Sequence, residues 1–591
     1  MRYPKLRVLE SSRQMVDTFK GYNHNLRIGD GEFFDMKNMT SDHYPILSPR
    51  GKRGLYASPN NPQALISKDA LCYVDGSKFV INEYPVEMGL SDEPKQLISM
   101  GAYVIIMPDK KWINTQCWIK EDEFDTENGC GNIDAYFDNE ESQLDVTFTL
   151  CKIDAEEYTD ISDTEPTDPE NLDLWLDTST TPNTLKQYSK TNEAWVQIPT
   201  TYIKISCPGI GKAFELYDGV TISGIVSDKL QDLNASHAIW AKDDDYIVVI
   251  GIMDDLATAT QTAEEGVIKV ERKMPIMDFV IESGNRLYGC RYGPAANGEV
   301  VNEIYASKLG DFKNWNCFMQ ISTDSWVGGV GTDGQFTGAI THMGYPLFFK
   351  ENCVHKVYGN YPANFQIQTT ACRGVQKGCD KSLAIVNETL FYKSRGAVCA
   401  YDGSLPTEVS YALGNEAYKD AVGGSHGNKY YISMKDVSEN YHLFVFDTAK
   451  GMWHKEDDIK VDQFCSCDDE MYAIHDGKII TLLGTGTPDA DPVEWMAETG
   501  EIGLSSPDMK YISRLTVRMA MDIGAELRIY AQYDFSDEWE HLTTIQGTNL
   551  RSFSLPIRPK RCDHMKLRFE GVGMTKIYSI TKTIEQGSDL S

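Results

Sequence analysis

Carboxylates are the most abundant groups in this sequence that could do chemistry. The chain has 87 Asp and Glu residues, and a pair of carboxylates at the right separation is enough for glycoside hydrolysis. Two acidic runs could supply such a pair: Asp243, Asp244 and Asp245 form one, and Asp254 and Asp255 form the other. In so acidic a chain, however, such pairs arise by chance, and the SxDxGxxW turn that repeats in sialidase propellers does not occur. We therefore expect no enzymatic activity.

Nucleophilic and metal-binding patterns are also weak. Cys562, Asp563 and His564 are consecutive, but on a strand Cys562 and His564 would share one face while Asp563 would point to the other. No third group is evident that would orient a Cys–His pair, so a structural role is predicted. The 14 cysteines contain no CxxC pair and the 11 histidines no HExxH or HxH motif. No metal site or other cofactor is predicted.

One glycine-rich motif resembles a dinucleotide-binding fingerprint. Gly329, Gly331 and Gly334 match GxGxxG, but that site needs a helix after the glycines so that its N-terminus meets the pyrophosphate. The following residues, QFTGAITHMGYPLFFK, alternate as in a strand. The motif therefore predicts a loop between two strands.

The charge of the chain is concentrated in one window. The formal net charge is −31, and residues 121–177 contain 20 acidic residues and one basic residue, Lys152. No DxDxDG spacing is present there, so solvated carboxylates are expected, with incidental Ca²⁺ binding as the alternative. Such a surface repels phosphates, and the basic cluster of Arg50, Lys52 and Arg53 is small for a duplex site. No direct sequence-specific contact with nucleic acid is predicted.

The sequence predicts neither a signal peptide nor a membrane-spanning helix. The first residues, MRYPKLRVLESSRQMV, have no apolar run of signal-peptide length, and no stretch approaches the ~18 apolar residues of a spanning helix. Scattered cysteines suit reduced thiols made in a cytoplasm. We expect neither membrane insertion nor Sec-type export.

Short apolar-aromatic runs closed by Gly, Asp, Asn or Pro predict an all-β protein. Eight runs look alike, beginning at Leu71, Tyr103, Tyr246, Leu287, Leu347, Leu390, Tyr430 and Met471. Four of the steps between them are 40 to 43 residues, although the steps from 71 to 103 and from 287 to 347 fit less well. A repeat near 41 predicts a β-propeller of about six to eight four-stranded blades. A two-sheet sandwich would also give short strands, but it does not explain the repeat.

Two regions do not follow this strand repeat. Residues 120–205 are predicted to be an acidic inserted β module, in which Trp175 and Trp195 supply a small core. After the linker GTGTPDADPVEW, alternating runs in residues 486–591 predict a C-terminal β-sandwich, with Met565, Leu567 and Phe569 on one face. The predicted domains are thus residues 1–119 (N-terminal arm and first blades), 120–205, 206–485 (remaining blades) and 486–591.

Several segments resemble proteins of one family. DMKNMTSDHYPILSPRGKR from Asp35, SKLGDFKNW from Ser307 and FVFDTAKGMW from Phe444 are similar to segments of the packaged-DNA stabilisation and tail-hub propellers of tailed bacteriophages. SLPIRPKRCDHMKLRFEG near the C-terminus resembles the final sandwich of phage structural proteins. The insertion and the sandwich depart from the basic propeller pattern, so the resemblance leaves open whether the chain belongs to the neck or to another part of the tail.

The resemblance implies a structural virion protein made in the cytoplasm of a bacterial host. It would be a neck or tail connector that seals or joins head and tail, as a homo-oligomeric ring in contact with portal, adaptor or tail proteins. Predicted assembly contacts are Phe33, Phe34, Tyr44, Arg50 and Arg53. The alternative is a tail-tip protein that binds a receptor or degrades host glycans.

Overall fold

The structure, a computed structural model, describes residues 11–586 apart from 121–122, 141–142, 157–159, 181–182, 198–200, 254–257, 296–297, 490, 505–508, 535 and 558–559. These described residues are almost entirely strands, which confirms the all-β prediction. Their helices are short 3₁₀ turns: Asp228–Leu233, Pro362–Asn364, Asp380–Ser382 and Tyr411–Leu413.

Seven blades, the repeating unit of a β-propeller, occur in the described part of the chain; six are four-stranded meanders, and the seventh takes its fourth strand from the N-terminal segment. Blade 1 consists of Pro62–Ser67, Leu71–Asp75, Lys78–Ile81 and Tyr84–Glu87. Blade 2 consists of Gln96–Met100, Tyr103–Met107, Lys111–Asn114 and Cys130–Asn132. Blade 3 consists of Phe279–Ser283, Arg286–Pro294, Val300–Ala306 and Trp326–Gly329. Blade 4 consists of Gly338–His342, Tyr345–Lys350, Cys353–Tyr358 and Gln366–Ala371.

The last three blades follow the same plan. Blade 5 consists of Ala384–Val386, Thr389–Lys393, Val398–Tyr401 and Thr407–Glu408. Blade 6 consists of Lys419–His426, Lys429–Lys435, Tyr441–Asp447 and Met452–Lys455. Blade 7 consists of Gln463–Cys467, Glu470–His475, Lys478–Thr481 and the N-terminal strand Gly54–Ala57, with Thr487–Pro488 beside it. The propeller prediction is confirmed, with seven blades in the residues that the structure describes.

The repeat seen in the sequence comes from the second strand of each blade. Seven of the eight similar runs are these second strands, and most residues of each are buried, as in Tyr345–Lys350, where only Tyr345 is exposed. The eighth run is different: Tyr246–Gly251 lies in the inserted module, so its 41-residue distance from the next run is accidental. The long step after Leu287 arises because blade 3 has a loop of nineteen residues between Ala306 and Trp326.

Contacts divide the chain into two compact units. Unit 1 comprises the chain up to Lys95, Phe348–Val354 and the chain from Thr370 onwards, and it contains blades 1, 5, 6 and 7 and the C-terminal sandwich. Unit 2 comprises Gln96–Leu347 and His355–Thr369, and it contains blades 2 and 3 and the inserted module.

The inserted module of unit 2 is longer than predicted. One of its sheets contains Ala135–Asp138, Lys269–Arg272, Gly219–Ser223 and Ser236–Ala238. Another contains Ala241–Asp243, Tyr246–Gly251, Thr201–Ser206, Val146–Cys151 and Thr258–Gln261. The predicted boundary at residue 205 is wrong because Thr201–Ser206 is a central strand, paired on both sides with Val146–Cys151 and Tyr246–Gly251. Fully buried Phe148, Ile203 and Ile247 belong to the module's core.

A smaller sheet of the module contains both predicted tryptophans. Its strands are Asp160–Ser162, Leu174–Asp177, Thr184–Ser189 and Ala194–Gln197. The rings of Trp175 and Trp195 meet edge to face with centroids 5.5 Å apart, and Trp175 is buried. The Nζ atom of Lys186 lies 4.6 Å from the Trp175 ring centroid, which adds a cation–π contact. A separate hairpin pairs Trp118–Lys120 with Glu123–Phe124.

The C-terminal sandwich of unit 1 is organised by one long strand. Its C-terminal strands are Glu494–Thr499, Lys510–Tyr533, Glu540–Ser554, Met565–Val572 and Thr575–Gln586. Lys510–Tyr533 pairs with Thr575–Gln586 along its first half and with Met565–Val572 along its second half. The alternation predicted for Met565, Leu567 and Phe569 is observed, since all three are buried.

The N-terminus contributes strands to this sandwich, which corrects the prediction that residues 1–119 form one region with the first blades. Ser11–Val16 pairs with Thr575–Gln586, and Glu32–Lys37 pairs with Glu494–Thr499. A short sheet of Met39–Thr40 and Ser48–Pro49 follows. The segment before blade 1 therefore joins the sandwich and then supplies the last strand of blade 7.

One sheet runs from the sandwich into the propeller within unit 1. Glu32–Lys37 of the sandwich also pairs with Gly21–Tyr22, and Tyr22 pairs with Trp453 in the outer strand of blade 6. The twelve-stranded sheet that results connects the sandwich and blade 6 through backbone hydrogen bonds. We call the segment from Glu32 to Ala57 the N-terminal arm.

Candidate functional site

The N-terminal arm contains all five predicted contact residues, but two of them point in opposite directions on one strand. Phe33 is 1 % exposed and belongs to the core, with its ring centroid 5.9 Å from that of Phe19. Phe34 lies on the other face and is half-buried, stacked on His24 with centroids 4.2 Å apart. Phe33 is therefore not available as an assembly contact, whereas Phe34 keeps an exposed part.

The two predicted arginine contacts are also used inside the chain. Arg53 donates to Glu456 at 2.9 Å and lies 2.6 Å from Asp457, and Arg50 reaches Asp457 at 3.2 Å. The side chains of all four residues are at most 14 % exposed. The basic cluster seen in the sequence is thus a buried ion-pair network that fixes the arm to the end of blade 6. Neither Arg50 nor Arg53 is free to contact a partner or a phosphate.

An open cleft lies between the arm and the loops of blades 6 and 7. Its volume is about 390 Å³. Its lining residues are Ser41, Asp42, Tyr44, His426, Gly427, Asn428, Lys429, Tyr431, Asp447, Ala449, Lys450 and Leu483. The cleft combines two tyrosines, one histidine, two carboxylates and two lysines, a set that suits a polar ligand with an apolar face.

The two carboxylates of the cleft are held differently. Asp447 is buried and accepts hydrogen bonds from Ser41 Oγ at 2.6 Å and from the Lys450 backbone N–H at 3.1 Å. Asp42 forms an ion pair with Lys429. Burial opposes ionisation of Asp42, but the hydrogen bond and charge of Lys429 outweigh it and lower the pKa of Asp42. At neutral pH Asp42 is an acceptor, suited to hydroxyl groups or to the role of a base.

Tyr44 presents its ring to solvent at the edge of the cleft. Its side chain is 41 % exposed, and Lys450 Nζ lies 5.8 Å from the ring centroid. Of the five predicted contact residues, Tyr44 is therefore the one best placed to bind a ligand or a partner, because its ring is open to stacking.

Behind the cleft, His454 gives a pH-dependent prediction. His454 is 5 % exposed, and its Nδ1 has no hydrogen-bond partner in the described residues. Burial lowers the pKa of His454 from 6.5 to about 4. Because the unfolded chain binds this proton more tightly, the contribution of neutral His454 is complete above pH 6.5 and is lost as the pH falls towards 4, by roughly 3 kcal/mol.

The measurement is chemical denaturation across this pH range for the wild type and for His454→Gln. We expect a shallower fall in the unfolding free energy for the variant, since its buried side chain does not titrate. Parallel curves would show that His454 is not a buried neutral group.

The other candidates from the sequence do not assemble into sites. Asp243, Asp244 and Asp245 form an exposed hairpin turn in unit 2, and Asp254 and Asp255 lie outside the described residues. Each of the first three is solvated, and Asp245 accepts a hydrogen bond from the Gly209 N–H at 2.8 Å. This hairpin therefore shows no catalytic pairing.

The remaining motifs have structural roles. Gly329 ends a strand of blade 3, and the next regular element, Gly338–His342, is another strand, as predicted. Cys562 Sγ lies 3.6 Å from the Lys510 carbonyl oxygen, whereas His564 contacts the Asp563 carboxylate at 3.0 Å, so the two do not form a couple. All 14 cysteines are free thiols. Within the described residues no three His, Cys, Asp or Glu side chains are grouped to hold a metal ion, and no helix is long and apolar enough to cross a membrane.

No motif in the sequence marks the cleft as a site. Asp447 was part of the segment FVFDTAKGMW, but Lys429 and His426 belong to no motif. They are almost 400 residues from Asp42 along the chain, so only the fold brings them together. The tight turn after blade 6's third strand, in which the Gly451 N–H bonds the Asp447 carbonyl oxygen at 2.8 Å, could have marked Asp447 as a loop-end residue.

Comparisons with known proteins found similar solved structures, but no family model and no curated protein matches the chain. Solved structures that resemble it include an exo-β-1,3-galactanase from Phanerochaete chrysosporium (9% identity, 51% of this chain and 94% of that one, TM-score 0.20). Others are a glycoside hydrolase family 43 arabinoxylan arabinofuranohydrolase from Bacillus subtilis (8%, 51% and 94%, 0.19) and U3-55K (9%, 54% and 96%, 0.23).

These matches correct one expectation. The prediction that the chain is not an enzyme is wrong as it stands, because glycoside hydrolases are among the structures that the chain resembles. At TM-scores of 0.19 to 0.23 the likeness identifies no reaction and no catalytic residue for this chain. None of these three structures is a phage virion protein.

Proposed function

We propose that the chain is a structural component of a tailed-phage virion, a connector-type propeller that joins other virion proteins at the neck or tail. The proposal begins from the resemblance of the arm, the blade-closing turns and the C-terminal segment to phage propellers. A homo-oligomeric ring is the arrangement that closed symmetry favours for such a part.

The observation that best supports a connector is the connection between the sandwich and blade 6 in unit 1, which we call the joint. A connector transmits force between its neighbours, so its domains must not hinge freely. Here the sandwich and blade 6 share one sheet, and the arm that crosses between them also supplies the fourth strand of blade 7. The buried ion pairs of Arg50 and Arg53 fix the same arm to Glu456 and Asp457. Backbone ladders and buried ion pairs resist bending far better than a flexible linker does.

The proposal is tested by fractionating particles from the strain that produces the protein. We expect the chain to sediment with intact particles in a density gradient, to survive washing at high salt, and to be identified there by mass spectrometry. A chain found only in the soluble fraction of the lysate would contradict a structural role in the virion.

The cleft favours a second candidate, a tail protein that binds host glycans. Tyr44 can stack on a sugar ring, while Asp42, Lys429 and Lys450 can bond its hydroxyl or anionic groups. The test is a glycan array probed with the purified chain and with Tyr44→Ala, with released sugar measured in the same wells to detect turnover. Binding that disappears in Tyr44→Ala supports this function, and the absence of binding by the wild type rejects it.

A further inference from the structure

A buried lysine in blade 5 has no part in the joint or in the cleft. Lys393 ends the second strand of this blade, Thr389–Lys393, and is 3 % exposed. In the described part of the chain its ammonium group forms no ion pair, which is unusual for so deeply buried a lysine.

The hydrogen bonds of Lys393 match a neutral amine. Its Nζ donates to Gln376 Oε1 at 3.0 Å and to the backbone carbonyl oxygen of Ser394. Both acceptors are uncharged. A neutral amine has two N–H groups, which these acceptors satisfy, and it keeps one lone pair. Burial lowers the pKa of Lys393, and the nearby thiols of Cys379 and Cys399 only partly oppose that effect.

Lys393 also lines a cavity. The cavity has a volume of about 170 Å³, enough for a molecule of a few carbon atoms, and is lined in addition by Ser410, Tyr418 and Met434. Arg395 lines it too and is exposed, so its guanidinium can attract an anion from solvent. Glu408 and Glu416 are the acidic residues of the lining, and Glu408 is paired with Arg373 at 3.1 Å.

We propose that Lys393 is the nucleophile of a site that binds a small aldehyde or ketone carrying an anionic group, and holds it covalently as an imine. The lone pair of Nζ forms a bond to the carbonyl carbon, and the carbonyl oxygen leaves as water with the two hydrogens of the amine. No oxidant or reductant is needed. A lysine that is removed from water is the nucleophile in such reactions, because its amine is more often neutral. The positive charge of Arg395 favours a carbonyl compound that carries an anionic group.

The test is reductive trapping on the full chain at neutral pH. The folded protein is treated with glyoxylate and cyanoborohydride, and modified lysines are quantified by peptide mass spectrometry, with the denatured chain as the reference. We expect Lys393 to be modified faster than exposed lysines such as Lys377, because burial lowers the pKa of Lys393 and so raises the neutral fraction of its amine. Modification of Lys393 only after denaturation would overturn the proposal.

Arg395→Met provides the matched variant, since Arg395 is exposed and its loss leaves the packing of Lys393 unchanged. In this variant we expect slower trapping of glyoxylate at Lys393 and unchanged trapping of acetaldehyde, which has no anionic group. Unchanged trapping of both probes would contradict the selection for an anion.

Discussion

Replacing Arg53 by methionine is expected to lower the unfolding free energy of unit 1 by about 3–5 kcal/mol, because it leaves buried carboxylates without their main partner. Arg53 is 5 % exposed and lies 2.9 Å from Glu456 and 2.6 Å from Asp457, whereas Arg50 lies farther from both carboxylates, at 3.7 Å and 3.2 Å. Chemical denaturation followed by tryptophan fluorescence measures the loss, since Trp453 lies three residues before Glu456.

Arg373→Met is the control for Arg53. Arg373 also pairs with a glutamate, Glu408, but the two side chains are 59 % and 42 % exposed. An exposed pair of this kind contributes at most about 1 kcal/mol. Equal effects of the two substitutions would mean that the arm is not fixed by a buried ion-pair network.

Replacing Phe33 by alanine is expected to cost a similar amount, about 3–5 kcal/mol, through the lost burial and the cavity left behind. Phe33 is fully buried in the strand that joins the sandwich to blade 6, so the joint itself is weakened. Thermal unfolding of the purified chain measures the effect.

Phe34→Ala separates folding from assembly, because the two residues are neighbours on opposite faces of one strand. In the wild type, Phe34 contacts His24 and Lys566 but is not in the core. The Nζ atom of Lys566 lies 4.7 Å from the Phe34 ring centroid. We expect a loss of at most about 1 kcal/mol in stability, together with weaker incorporation into particles. A fully stable Phe34→Ala chain that is incorporated normally would remove Phe34 from the predicted contacts.

The propeller could be predicted from sequence because the second strand of each blade is buried along most of its length. Such strands read as short apolar-aromatic runs, and their recurrence gives the blade repeat. The same signal led to a wrong assignment of the run at Tyr246 to a blade, because a strand of the inserted module is buried in the same way as a blade strand. Local composition does not tell which sheet a buried strand joins.

The joint and the cleft could not be predicted because they depend on partners far apart in sequence. Leu55 pairs with Ile480, Phe33 pairs with Thr499, and Arg53 meets Glu456 across 403 positions. Period-two patterning can identify a strand, but it contains no information about which strand pairs with it. The arginines therefore looked like a surface cluster, although their partners are internal carboxylates.

We propose that this chain is a connector of a phage particle, in which the sandwich and blade 6 of unit 1 are joined through the N-terminal arm. The most direct test is cryo-electron microscopy of particles from the producing strain. We predict a ring of this chain between the capsid and the tail tube or within the tail, in which density for Glu32–Lys37 is continuous from the sandwich to blade 6. Particles that lack the chain altogether would contradict the claim, and so would a chain whose sandwich and blade 6 are separated in the density.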